Sequence, residues 1–163
     1  MPKVAVIMGS ISDLDVVKPA IDILKKFEVE VVAHVISAHR TPDLAHKFAE
    51  EAIDNNIEVI ICAAGKAAHL GGVIAAFTPL PVIGLPVKSS TMDGMDSLLS
   101  MVQMPSGIPV ACVAINGSLN AGLLAVQILS VKYPILMKKM VDYKATMAEK
   151  ICQDDAKLQQ ELQ

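Results

Sequence analysis

A chain of 163 residues can bury one sizeable core but is short for two, so a single domain over 1–163 is expected. A formal charge of -3, no Trp and only 3% aromatic residues argue against nucleic acid as a partner, since both a basic footprint and a base-stacking platform are missing. Although 53% of residues are hydrophobic, they fall in short runs, none near the roughly 20 consecutive apolar residues that a membrane span needs.

Lys3 to Met8 is a β-branched run and reads as a first strand. Gly9-Ser10-Ile11-Ser12-Asp13 follows as a turn, with Ser12 as N-cap of a helix reaching about Phe27. Asp13 and Asp15 interrupt any signal-like apolar stretch, so a cytoplasmic protein is expected. Pro19 lies well inside that helix, where it removes a backbone donor and should bend the axis. A second strand, from about Glu30 to Ile36, reads as buried, and a helix opened by Pro42 runs to about Asn55. His34 reads as structural within the strand, and His46 as solvent-facing in the helix.

Glu58 to Ala63 is the third strand, and Gly65-Lys66 opens an Ala-rich segment to about Phe77. Pro81 to Val87 is the fourth, followed by the polar loop Ser89 to Gly94 and a helix over Asp96 to Gln103. Pro109 to Ile115 is the fifth strand, and a helix spans about Asn120 to Ser130. Continuous apolar strands alternating with helices specify an α/β fold, a flavodoxin-like three-layer α/β/α sandwich around a parallel sheet. The domain core is expected over 1–131, with a helical extension over 132–163. In that extension Tyr133, Leu136, Met137, Met140, Tyr143, Lys144, Met147 and Ile151 recur at helical steps. No strand follows to receive this helix, so it either folds back on its own domain or lies across a neighbouring subunit.

Ligands of such folds sit outside the carboxyl ends of the strands, and three turns there share a chemistry. Gly9 to Asp13 supplies hydroxyls and free N–H groups at a helix start, an anion site by geometry and dipole. It lacks both GxGxxG and the P-loop lysine, which weakens a dinucleotide or triphosphate reading. Asp13 either stabilises the first helical turn or accepts from sugar hydroxyls or a ring amine. Ser37-Ala38-His39-Arg40-Thr41-Pro42 places an imidazole, a fixed cation and two hydroxyls within six residues. Arg grips a phosphate through its planar fork, and His exchanges protons near neutrality. Ala63 to Gly72 is nearly free of bulk, which lets backbone amides approach a flat ligand; His69 within it is a packed residue or a site residue.

Other chemistries lack residues. The three cysteines show no CxxC spacing, and Cys62 and Cys112 lie in apolar runs, as reduced core cysteines do. The four histidines show neither HExxH nor a Cys/His pairing, so no metal site is expected. No GxSxG elbow and no cysteine in a polar turn offers a nucleophile. Acid–base work on a phosphorylated small molecule, without metal or cofactor, is what remains.

Gly-Ser-Ile-Ser-Asp (9–13), Ser-Ala-His-Arg-Thr-Pro (37–42), Ala-Gly-Lys-Ala-Ala-His-Leu (64–70) and the run from Met95 to Val110, in that order, resemble the N5-carboxyaminoimidazole ribonucleotide mutase family of purine synthesis. The resemblance continues through Asn120 to Leu129. It implies transfer of a carboxylate from the exocyclic nitrogen to ring carbon C4 of an aminoimidazole ribonucleotide. It also implies no metal, no cofactor, a homo-octamer, and an upstream ATP-dependent synthetase that makes the substrate. By motif, His39 would be the general acid–base. Ser10, Asp13 and Arg40 match substrate-binding positions, with Ser12, Ser37 and the backbone of Ala64, Gly65, Lys66 and Leu70 nearby; His69 would line the pocket near the moving carboxylate. Lys66 stands where those mutases carry glycine, and Gly71-Gly72 where they carry Pro-Gly. A related class that carboxylates the aminoimidazole ribonucleotide directly with CO2 carries arginine at the Lys66 position. Direct carboxylation, a non-catalytic ligand-binding module and an assembly subunit are the alternatives.

Overall fold

The computed structural model describes residues 1–162; the last residue of the expected C-terminal extension, Gln163, lies outside them. Five parallel strands form one sheet in the order β2-β1-β3-β4-β5. They are β1 (Lys3–Met8), β2 (Glu30–Val35), β3 (Val59–Gly65), β4 (Val82–Val87) and β5 (Ala111–Cys112). The helices are α1 (Leu14–Lys26), α2 (Pro42–Glu51), α3 (Leu70–Ala76), α4 (Met95–Val102), α5 (Ser118–Ser130) and α6 (Pro134–Glu161).

Strand periodicity of two divides the core between the faces. Val4, Val6, Met8, Val59, Ile61 and Ala63 pack with α1, α5 and the start of α6. Ala5, Ile7, Ile60, Cys62 and Ala64 pack with α2, α3 and α4. Both faces are covered, so β1, β3 and β4 carry almost unbroken apolar runs. The second strand differs from expectation. It is an edge strand paired only with β1, and its residues from Ala33 to Val35 are exposed, Val35 at 48%. The fifth strand is shorter than its apolar run suggested, Ala111–Cys112, and α2 ends at Glu51 rather than Asn55.

α1 runs unbroken through Pro19. The Ser118 hydroxyl, from the first turn of α5, accepts from the Ala20 N–H (3.0 Å) and donates to the Val17 carbonyl (3.1 Å). One turn later Gly122 lies against Ile23 and the Ala20 backbone, where any side chain would collide. The proline disturbs the ladder of α1, and α5 supplies the compensating hydroxyl at close range.

The start of α6 folds back on its own domain. Leu136 and Met140 are buried in the core, and Tyr143 meets Phe27 edge-on with centroids 5.7 Å apart. Ahead of it, Glu58 accepts from Lys132 Nζ (2.7 Å) and Tyr133 Oη (2.8 Å). Beyond Tyr143 the described helix is exposed, including Met147, Ile151 and Leu158. Among the described residues, no helix is long and apolar enough to cross a membrane.

Candidate active site

Parallel strands bring their carboxyl-end turns to one edge, in the spatial order β2, β1, β3, β4. A cavity of about 540 Å³ opens there. Gly9, Ser10, Ser12 and Asp13 line it after β1, Ser37, His39 and Arg40 after β2, Ala64 to Lys66 and Ala68 at β3, and Val87 to Ser89 at β4. A larger cavity of about 890 Å³ sits at the amino ends of the strands, but Glu50 is the one titratable side chain lining it. A third cavity, of about 690 Å³, has Lys3, Glu30, Glu58, Lys132 and Tyr133 in its lining, but these groups bond to one another and no histidine is among them. The imidazole of His39 singles out the smallest of the three.

The β1 turn is a short 3-10 turn, Ile11–Asp13, before α1. Ser10, not Ser12, is the cap: its Oγ accepts from the Ser12 N–H (3.3 Å) and the Ser12 hydroxyl (2.9 Å). The turn inserts before the helix, so Ser10 caps the turn, and the N-cap position of α1 falls at Asp13, one residue later than the helical pattern suggests and without a side-chain cap bond. Burial pushes the Asp13 carboxyl above the usual range, against the opposing pull of the Ser12 hydroxyl, the Ser10 backbone and Arg40.

The β2 turn is held by its own hydroxyls. Ser37 N–H donates to Thr41 Oγ1 (3.1 Å), which donates to the Ser37 carbonyl (3.0 Å). Arg40 Nε donates to Ser37 Oγ (3.3 Å), and Arg40 Nη2 to the Gly9 carbonyl (2.7 Å). Gly9 N–H in turn donates to Ala63 O at 3.1 Å. The guanidinium thus ties the β2 turn to the β1 turn, which is tied to β3. His39 is exposed between them, and among the described residues none hydrogen-bonds its ring.

The β3 turn carries Lys66 in the left-handed region at φ 55°. His69 and Leu70, expected at the site, do not line this cavity. Leu70 is core, 2% exposed. His69 caps α3, and its Nδ1 lies 2.5 Å from the Ser100 carbonyl, which makes Nδ1 the protonated nitrogen. Its ring packs over Gly72.

Three cavity residues lie outside the three turns singled out from the sequence: Val87, Lys88 and Ser89. The signal was available, because the polar loop after β4 occupies the same edge as the other turns. There Lys88 Nζ pairs with Asp93 (2.6 Å), and Lys88 N–H donates to Asn116 Oδ1 (2.9 Å). Among the described residues, no group of three or more His, Cys, Asp or Glu is placed to hold a metal ion.

Known proteins resemble the chain along nearly its whole length. The chain is 51% identical over 160 residues to the N5-carboxyaminoimidazole ribonucleotide mutase of Thermotoga maritima, covering 98% of this chain and 94% of that one. It is 57% identical over 147 residues to the protein of the same name from Pyrococcus abyssi, covering 90% and 84%. The fold superposes on the crystal structure of Treponema denticola PurE with a TM-score of 0.89 at 31% identity, covering 97% of this chain and 99% of that one. The family model for AIR carboxylase matches residues 3–150, the whole parallel sheet and its helices down into α6, and the chain belongs to that family.

Proposed function

We propose that this chain is an N5-carboxyaminoimidazole ribonucleotide mutase, which moves a carboxylate from the exocyclic nitrogen to ring carbon C4. The observation that carries it is one exposed imidazole, His39, set beside Arg40 in a cavity of hydroxyls and small residues. The names borne by relatives above 50% identity support the same reaction.

The chemistry needs one proton used twice. Protonated His39 donates to the carbamate nitrogen as the N–C bond breaks and CO2 leaves. C4 then captures that CO2, forming the new C–C bond, and His39 takes back the C4 proton. The imidazole ends as it began, so no second acid is required. Arg40, with the Ser10, Ser12 and Ser37 hydroxyls, binds the phosphate; Asp13 accepts from the ribose hydroxyls. Ala64, Gly65 and Ala68 form a low wall against which the flat heterocycle lies, keeping released CO2 away from water. His69 and Leu70 support that wall from behind.

The working form is a homo-octamer in the cytoplasm, fed by an ATP-dependent synthetase that carboxylates the aminoimidazole nitrogen. Exposed Val35 on an edge strand paired on one side only, and exposed Met147, Ile151 and Leu158 on α6, support assembly and the laying of this helix on a neighbouring subunit.

Purified protein is offered the carboxyamino ribonucleotide, or aminoimidazole ribonucleotide (AIR) with CO2, without synthetase or ATP. Rapid conversion of the carboxyamino compound to 4-carboxy-5-aminoimidazole ribonucleotide (CAIR) is expected. Turnover of AIR and CO2 alone, with the carboxyamino compound ignored, overturns the mutase reading in favour of direct carboxylation.

A further inference from the structure

Lys66 is a costly residue where it stands. At φ 55° a side chain is disfavoured and glycine is at ease, so a lysine here works against its backbone preference. The cavity it lines holds three cations, Arg40, Lys66 and Lys88, against one carboxylate, Asp13. Two of the cations already have protein partners. Arg40 gives Nε to Ser37 Oγ and Nη2 to the Gly9 carbonyl, which leaves Nη1 for the phosphate, and Lys88 pairs with Asp93. Among the described residues, none forms an ion pair with Lys66.

The cavity is polarised along the sheet edge. Arg40, Ser10, Ser12 and Ser37 lie after β2 and β1, whereas Lys66 lies at the end of β3, which neighbours β4. A ribonucleotide bearing a carboxylated base has two anionic ends. With its phosphate over β2 and β1, its base and carboxylate extend towards β3. Resting on the mutase reading, we propose that Lys66 is a specificity-determining residue: its ammonium reads the carboxylate that distinguishes CAIR from AIR. The flexible four-carbon stem lets this charge follow the carboxylate as it moves from nitrogen to carbon.

Calorimetric titration of the purified protein with CAIR, AIR and ribose 5-phosphate tests this. Lys66→Met should weaken CAIR binding about tenfold, the scale of a lost charge-assisted hydrogen bond. Binding of AIR and ribose 5-phosphate should stay within about twofold, and Lys66→Arg should restore CAIR affinity. Equal weakening of all three ligands would make Lys66 a phosphate contact, and unchanged binding of all three would make it a solvated charge. Either result overturns this inference while leaving the mutase reading intact. Failure of the unsubstituted protein to bind any ribonucleotide overturns the mutase reading, and this inference with it.

Discussion

The His69 imidazole occupies the space above Gly72, so that a Cβ on residue 72 would run into Nε2, Cε1 and Cδ2 of the ring. With Nδ1 donating to the Ser100 carbonyl, this contact fixes both the tautomer and the plane of the imidazole. In a helix, Gly→Ala ordinarily stabilises by about 1 kcal/mol. Here Gly72→Ala should instead lower stability by about 1–3 kcal/mol through overpacking. Combining it with His69→Ala removes the collision and should recover most of that loss relative to His69→Ala alone. Thermal melting of the four proteins measures the coupling; a stabilised Gly72→Ala single variant would contradict the packing.

His39→Asn keeps a polar side chain of similar size and removes the titrating group. Because His39 is exposed and makes no ring hydrogen bond among the described residues, folding should be unaffected. The expected loss in kcat is roughly 10²–10⁴-fold, with ligand affinity retained. Full turnover by a folded Asn variant would remove His39 from the mechanism.

The layered fold was legible because β1, β3 and β4 are buried on both faces and carry apolar residues at nearly every position. The same composition misled for β2, whose Val31 to Ile36 run looks central yet sits at an edge. Apolarity alone does not say whether a strand is central or at an edge. Most of the cavity was legible too, since the topology of a parallel sheet assembles its carboxyl-end turns. His69 was not: its side chain direction depends on Ser100 and Gly72, a contact that no spacing rule encodes. Ser12 was displaced as cap because a 3-10 turn precedes α1.

Glu58 gives a pH-dependent term. Burial works to raise its pKa, but the hydrogen bonds from Lys132 and Tyr133 prevail and hold it below the ordinary 4.5. Between that value and the lowered one, the unfolded chain binds more protons than the folded chain. The contribution is therefore complete above pH 4.5 and is lost as pH falls through the folded value. Lys132 is largely exposed, which limits the effect to about 1 kcal/mol. Glu58→Gln should lower stability by that amount near neutrality and converge with the parent protein in acid. Urea melts at several pH values test this, and a deficit that stayed constant into acid would rule out the carboxylate as its source.

Ser118 tests how the chain accommodates Pro19. The hydroxyl is 1% exposed and serves two buried backbone groups of another helix, the Ala20 N–H and the Val17 carbonyl. Ser118→Ala deletes one oxygen but leaves both groups without that partner, so its cost should reach about 1–3 kcal/mol, more than an ordinary hydroxyl contact. The cost depends on the proline. With Pro19→Ala, α1 regains a backbone donor and can close its own ladder. Ser118→Ala in that background should cost about half as much or less, a coupling between residues nearly a hundred positions apart in sequence. Denaturant melts of the four-member cycle decide the matter: a Ser118→Ala penalty undiminished by Pro19→Ala would mean that the hydroxyl serves α5 alone.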